Sequence, residues 1–197
     1  DNWNIYHMCI AAGVDPFKKH SKAEIAAYAK VCKQIFNGAK LLTDDLVAMN
    51  LAMINGEIDA SFTGGTYTAS PARFDGAKQI RGITPKKGPM NGKGGIVWIE
   101  LTSVVNNPDP SGLSEDFLAY VQRPDVSKKV AFAEGTYNPV TQMGSDKVMA
   151  QFNKEELDAI QWDTLEEEMS NSTDYDINPD YADMYDIYSA AKRERES

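Results

Sequence analysis

Two residues at the end of one apolar run set the chemical question. In "GGIVWIE", Gly94 to Glu100, the residues Ile96, Val97, Trp98 and Ile99 read as a strand heading into a core, and Glu100 closes it. Residues two apart on a strand point to the same face. Trp98 and Glu100 are therefore expected to present an indole and a carboxylate side by side. An indole face attracts cations, and a carboxylate adds charge and hydrogen bonds. A cationic, partly apolar ligand such as an amine would use both. The bland alternative is that Trp98 is core and Glu100 meets a local lysine.

Other chemistry finds little support. "GPMNGKGG" fails as a phosphate loop, because Lys87 stands where the first glycine is needed and Lys93 is followed by glycine. Asp174, Asp176 and Asn178 alternate as in a calcium loop. Pro179 replaces the turn glycine, however, and Tyr185 the bidentate glutamate, so a solvated acidic linker is expected. His7 and His20 have no ligand partner at metal spacing. No nucleophile–base pair or nucleophile elbow is visible, so no catalysis, cofactor or metal is expected. Asn171-Ser172-Thr173 is a glycosylation sequon by pattern alone. Met49 and Met53, one helical turn apart, read as core.

Local signals place these residues on elements. "NIYHMCIAAGVDP" reads as a short helix stopped by Gly13. "SKAEIAAYAKVCKQIF" is the clearest helix, with Ser21 and Glu24 forming a capping box. Thr43 is expected to cap the helix in "TDDLVAMNLAMING", and a short helix is expected at Ser70 to Phe74. "AKLL", "EIDASFT", "KQIRGITP" and "GIVWIELTSVV" read as strands. Helices follow at Leu113 to Gln122, Pro124 to Phe132 and in the final "DYADMYDIYSAAKRERES". Strand–helix alternation with helices appended implies an α/β fold.

The 197 residues suffice for one sizeable core or two small lobes. A net charge of -9 repels nucleic acid and anionic membrane, and neither is expected as a partner. No apolar run approaches a membrane span. Cys9 and Cys32 lie in apolar helical patterns and read as buried thiols. A bridge between neighbouring helices is the alternative and implies an oxidising compartment.

The stretch "PKKGPMNGKGGIVWIELTSVVNNPD", followed by "LAYVQRPDVSKKVAF", resembles the periplasmic solute-binding proteins of ABC transporters, in their polyamine (spermidine/putrescine) branch. Members carry a Trp-x-Asp strand end and a Pro-Asp-Val helix start, and "INGEIDASFTGG" is similar to their glycine-rich strand end. The resemblance implies a type II periplasmic-binding-protein-like fold, with a mixed sheet flanked by helices in two lobes. The match begins where the family's second lobe has just started, so an incomplete fold lacking the N-terminal segment is expected. Its parts would be 1–97 as second lobe, 98–148 as return segment of the first, and 149–197 as C-terminal helices docking on the second.

Carried over by residue, the family's ligand contacts fall on Asp1, on Asn4 (where a carboxylate is lost), on Thr43 at a helix start, and on Thr63 in place of an aromatic. They fall further on Trp98, on Glu100 (one methylene longer than the family's acid), on Tyr137 and near Tyr175. The implied function is an extracytoplasmic receptor, periplasmic or extracellular. It would capture a polyamine or related organic cation for ABC permease subunits, and would meet the membrane only through that transporter. Another small solute, amino-acid-like or anionic, is the alternative, with Lys86, Lys87 and Lys93 available to an anion. An enzyme on a related two-lobed scaffold and a truncated interaction lobe without ligand are the remaining rivals.

Overall fold

The computed structural model describes residues 2–109 and 111–196. Among them the helices are α1 (Asn2–Ala11), α2 (Lys22–Gly38), α3 (Leu46–Ile54), α4 (Ser70–Phe74), α5 (Leu113–Val121), α6 (Ser127–Ala131), α7 (Asp146–Met149), α8 (Lys154–Ala159), α9 (Leu165–Ser170) and α10 (Tyr181–Glu196). Two short strands, β1 (Gly95–Val97) and β2 (Ser172–Asp174), pair in parallel with Ile96 opposite Thr173. At the coarse level the chain is α/β, helix-rich with a two-stranded parallel sheet. No helix of the described residues is long and apolar enough to cross a membrane.

The chain divides into two compact units. The first holds the residues up to Gly64, Ile83–Val97 and those from Glu167 onward; the second holds Gly65–Gly82 and Trp98–Glu166. One boundary falls between Val97 and Trp98. Residues 65–82 and 149–166 belong with the second unit instead of the first. Their side chains explain why. Phe152 and Ile160 bury against Ala131, Met143 and Val148, and the Phe74 ring packs 5.7 Å from that of Phe132.

In the first unit α2 begins at the capping box foreseen: Ser21 Oγ accepts from the Glu24 N–H, and the Glu24 carboxylate accepts from the Ser21 N–H at 2.8 Å. Tyr28, Cys32 and Phe36, four residues apart, bury one face of α2 against Met184, Tyr188 and Ala191 of α10 and Ile5, Met8 and Cys9 of α1. Cys9 and Cys32 are free, buried thiols, so the disulfide alternative is set aside. Burial pushes the Cys9 thiol up to about 12, and its S–H donates to Met184 Sδ at 3.5 Å.

The start of α10 is held by a buried carboxylate. Asp180 accepts from Lys19 Nζ and from the His20 N–H at 2.9 Å, and its Oδ2 lies 2.8 Å from His20 Nδ1. His20 Nε2 faces the Asp15 carbonyl at 2.8 Å, so both ring nitrogens meet oxygens. Asn178 Oδ1 in turn accepts from the Asp180 N–H at 2.8 Å. Asp174, Asp176 and Ile177 are exposed as the solvated-linker reading expects, but Asn178 and Asp180 are buried, which corrects that reading at the end of the stretch.

Most expected strands do not form, because other groups take the backbone bonds a sheet would use. In "KQIRGITP" the Arg73 guanidinium donates to the carbonyls of Lys78 (2.8 Å) and Ile80 (3.1 Å). The Gln161 side chain accepts from the Gly82 N–H at 2.6 Å and donates to its carbonyl at 3.1 Å. Glu168 accepts from the Thr84 N–H at 2.8 Å. In "EIDASFT" the N–H groups of Glu57 and Ile58 donate to Ala52 at the end of α3. Nearby, the Glu57 carbonyl accepts from Lys40 Nζ at 2.6 Å, and "AKLL" shows no strand. The run from Ile96 pairs only to Val97, whose carbonyl accepts the last bond, from the Tyr175 N–H.

Arg73 is 2% exposed, and its guanidinium also donates through Nε to the Asp158 carbonyl on α8 at 2.8 Å. Arg73→Met would leave three carbonyls without their donor, at about 1–3 kcal/mol for each one left buried. Urea unfolding should show a loss of about 3 kcal/mol or more, and Arg73→Lys, lacking the fork, should recover only part of it. Asp180 gives a pH signature. The Lys19 hydrogen bond first, and then the His20 N–H, hold its carboxyl at about 2, below the ordinary 3.8. A depressed carboxyl stabilises the native state above its unfolded pKa and loses that contribution as pH falls toward the folded one. Thermal midpoints followed by circular dichroism should drop between about pH 4 and pH 2 more steeply in the wild type than in Asp180→Asn.

Candidate functional site

In the second unit the expected residues gather around one that sequence reading missed, Tyr67. Gly65 is extended there (φ -129°, ψ -179°), and a turn over Thr66–Ala69 follows. Thr68 Oγ1 donates to the Gly65 carbonyl at 2.6 Å and Ser70 Oγ to the Tyr67 carbonyl at 2.6 Å, so two hydroxyls fix the turn. The Tyr67 ring then meets Trp98 edge-on, with centroids 5.9 Å apart and planes at 82°. Both rings are half-buried. Glu100 is exposed, and its carboxylate acts on the Tyr67 phenol, whose pKa is raised first by burial and then by that charge.

The shared strand face expected for Trp98 and Glu100 is corrected, since β1 stops at Val97. The Tyr67 ring and the field of Glu100 relate the indole and the carboxylate instead. Tyr137 joins the same network through the main chain: its N–H donates to the fully buried Ser70 Oγ at 2.8 Å. Its ring lies 5.0 Å from Phe74 and 4.5 Å from Phe132, in an aromatic cluster of the core.

The first unit holds the other expected residues, and they are spread out. Asn4 donates from Nδ2 to the Tyr188 hydroxyl at 3.0 Å, which ties α1 to α10. Thr63 Oγ1 lies 2.9 Å from Nδ1 of His7, whose pKa is lowered by burial. Thr43 does not cap α3; Asp45 does, accepting from the N–H groups of Val47 (2.8 Å) and Ala48 (3.2 Å), while Thr43 Oγ1 accepts from the Asp45 N–H at 3.0 Å. Asp1 lies outside the described residues. Near Tyr175 stands a second aromatic group that sequence reading passed over. Trp3 and Tyr6, one turn apart on α1, pack with Tyr175 at 5.6 and 5.7 Å, and Phe17 lies 5.7 Å from Tyr6. Tyr6 is buried, and burial together with the Tyr175 hydroxyl raises its pKa.

Two lysines offered for an anion are already engaged in the first unit. Lys86 pairs with Glu167 at 2.6 Å, and Lys93 donates to the Ser172 carbonyl at 2.8 Å. Among the described residues no cluster of His, Cys, Asp and Glu is placed to hold a metal. Compared with family models, curated proteins and solved structures, the chain matches none.

The fit of Tyr67 against Trp98 depends on a missing methyl. A Cβ on Gly65 would stand 2.8 Å from Tyr67 Cδ1 and 3.2 Å from Trp98 Cη2. Gly65→Ala should therefore displace the Tyr67 ring. In fluorotryptophan NMR the Trp98 resonance should shift while those of Trp3 and Trp162 hold still; an unmoved Trp98 signal would mean that the rings do not meet.

Proposed function

We propose that the chain is the solute-binding receptor of an ABC importer and captures a polyamine or related organic cation. A type II binding-protein fold, an extracytoplasmic location and delivery to permease subunits are parts of the same proposal. The observation that carries it is the grouping of Tyr67, Trp98 and Glu100 within one unit, two half-buried rings beside an exposed carboxylate. An alkyl ammonium matches that grouping. The carboxylate pairs with the ammonium, and the rings flank methylenes and stabilise the charge through their faces. The function is binding, with no bond made or broken. The anionic alternative is weaker, because Lys86 and Lys93 already serve local partners.

Calorimetric titration with spermidine and putrescine tests this reading. Glu100→Gln should weaken binding by roughly 1.5–3 kcal/mol, the scale of a charged hydrogen bond. Its unfolding midpoint should not move, since the exposed carboxylate has no structural partner to abandon. Trp98→Ala should weaken binding through lost ring area, with a smaller dependence on salt than the Glu100 variant. Equal polyamine affinity in wild type and Glu100→Gln would defeat the amine reading.

A further inference from the structure

The segment that follows Trp98 is exposed, apolar and bordered by one sign of charge. Between Lys93 and Arg123 the sequence has no lysine, arginine or histidine, while Glu100, Asp109, Glu115 and Asp116 lie within it. None of the residues of α5 is buried. Its Leu113 and Phe117, one turn apart, are 70% and 55% exposed and form an apolar stripe with Tyr120. Before the helix, Leu101 and Val105 are 84% and 81% exposed. A concavity of about 670 Å³ opens between Val104 and Val105 on one side and Leu113 and Phe117 on the other.

The backbone of this stretch is unmet as well. "IELTSVV", Ile99 to Val105, is rich in β-forming residues, with Ile99, Leu101 and Val105 at alternate positions that a strand would place on one face. Among the described residues no backbone–backbone hydrogen bond reaches 99–107. Strand-forming sequence with free N–H and C=O groups is a template for another strand. Exposed apolar side chains gain by being covered. Carboxylates with no lysine, arginine or histidine between Lys93 and Arg123 favour a cationic partner over an acidic one.

We propose that 99–107 and α5 form a docking surface for a partner polypeptide that adds as a β-strand, its apolar residues alternating with lysine or arginine. Its apolar face covers Leu101, Val105 and Phe117, its backbone pairs with 99–107, and its cations meet Glu100, Glu115 and Asp116. This surface shares Glu100 with the solute reading, while Leu101, Val105 and α5 play no part there.

A short labelled peptide alternating valine and lysine is the probe, read by fluorescence anisotropy and by hydrogen exchange on the chain. Saturable binding with slowed exchange at 99–107 is expected. Three changes should each weaken it by roughly tenfold or more: glutamate for lysine in the peptide, N-methylation of alternate peptide amides, and Val105→Asn in the chain. Equal binding of the N-methylated peptide would reduce the effect to charge and overturn strand addition. So would slow exchange at 99–107 in the free monomer, or concentration-dependent dimerisation that protects the same amides, since the face would then be covered from within or by a second copy. Absence of saturable binding would also overturn it.

Discussion

Buried backbone N–H and C=O groups have to be paired, and in the second unit side chains meet that demand where a sheet would otherwise do so. Arg73 spans the carbonyls of Lys78, Ile80 and Asp158, and Gln161 bonds both ways with Gly82. Gln161 sits at φ 55°, a left-handed conformation that costs a non-glycine residue roughly 1 kcal/mol or more. Its two bonds to Gly82 offset that strain. The arrangement also reaches the candidate site. A Cβ on Gly82 would lie 2.8 Å from Thr66 Cα, so the segment that Arg73 and Gln161 hold backs directly onto the turn that presents Tyr67. A guanidinium buried among carbonyls thus bears, through the Gly82 segment and Thr66, on the position of a half-buried phenol.

The first unit solves a comparable problem with a carboxylate. Asp180 gathers Lys19 and His20 at the start of α10, and α10 supplies Met184, Tyr188 and Ala191 to the core shared with α1 and α2. A buried carboxylate is tolerable only when its oxygens are fully occupied, and here each oxygen has a donor. In both units one polar side chain joins parts of the chain that are distant in sequence, and apolar packing is arranged around it.

Features that depend on neighbours in sequence were legible; those that depend on distant partners were not. Ser21 and Glu24 lie three residues apart, so their capping box could be read directly, as could the periodic face of α2. Ser70–Phe74 was also recognisable as a short helix. The β-forming runs failed because a strand exists only when another segment pairs with it. Among the described residues only β2 takes that role, and it pairs three residues of β1. At the site, the chemistry of Trp98 and Glu100 was visible in residue type, while Tyr67 was not. The signal was present in Gly64-Gly65 followed by an aromatic: a residue without Cβ leaves room for a ring to fold back. Sequence alone places Asp180 in an acidic linker, because Lys19 and His20, which cover it, lie at the other end of the chain.

Glu100 connects the two readings of the second unit. It lies beside Trp98, where an ammonium would be held, and it begins the unpaired stretch on which a basic strand would dock. One exposed carboxylate cannot be fully neutralised by two cations at once, so the two bindings draw on a common source of attraction. Linkage then requires that each weaken the other by the same factor. Screening by salt weakens both, but unequally. The rings of Tyr67 and Trp98 and the apolar stripe of α5 contribute through contact area, which ionic strength leaves largely alone. On both readings the carboxylate would set the sign of charge each surface accepts, and the aromatic pair and the apolar stripe would decide what kind of cation each one keeps.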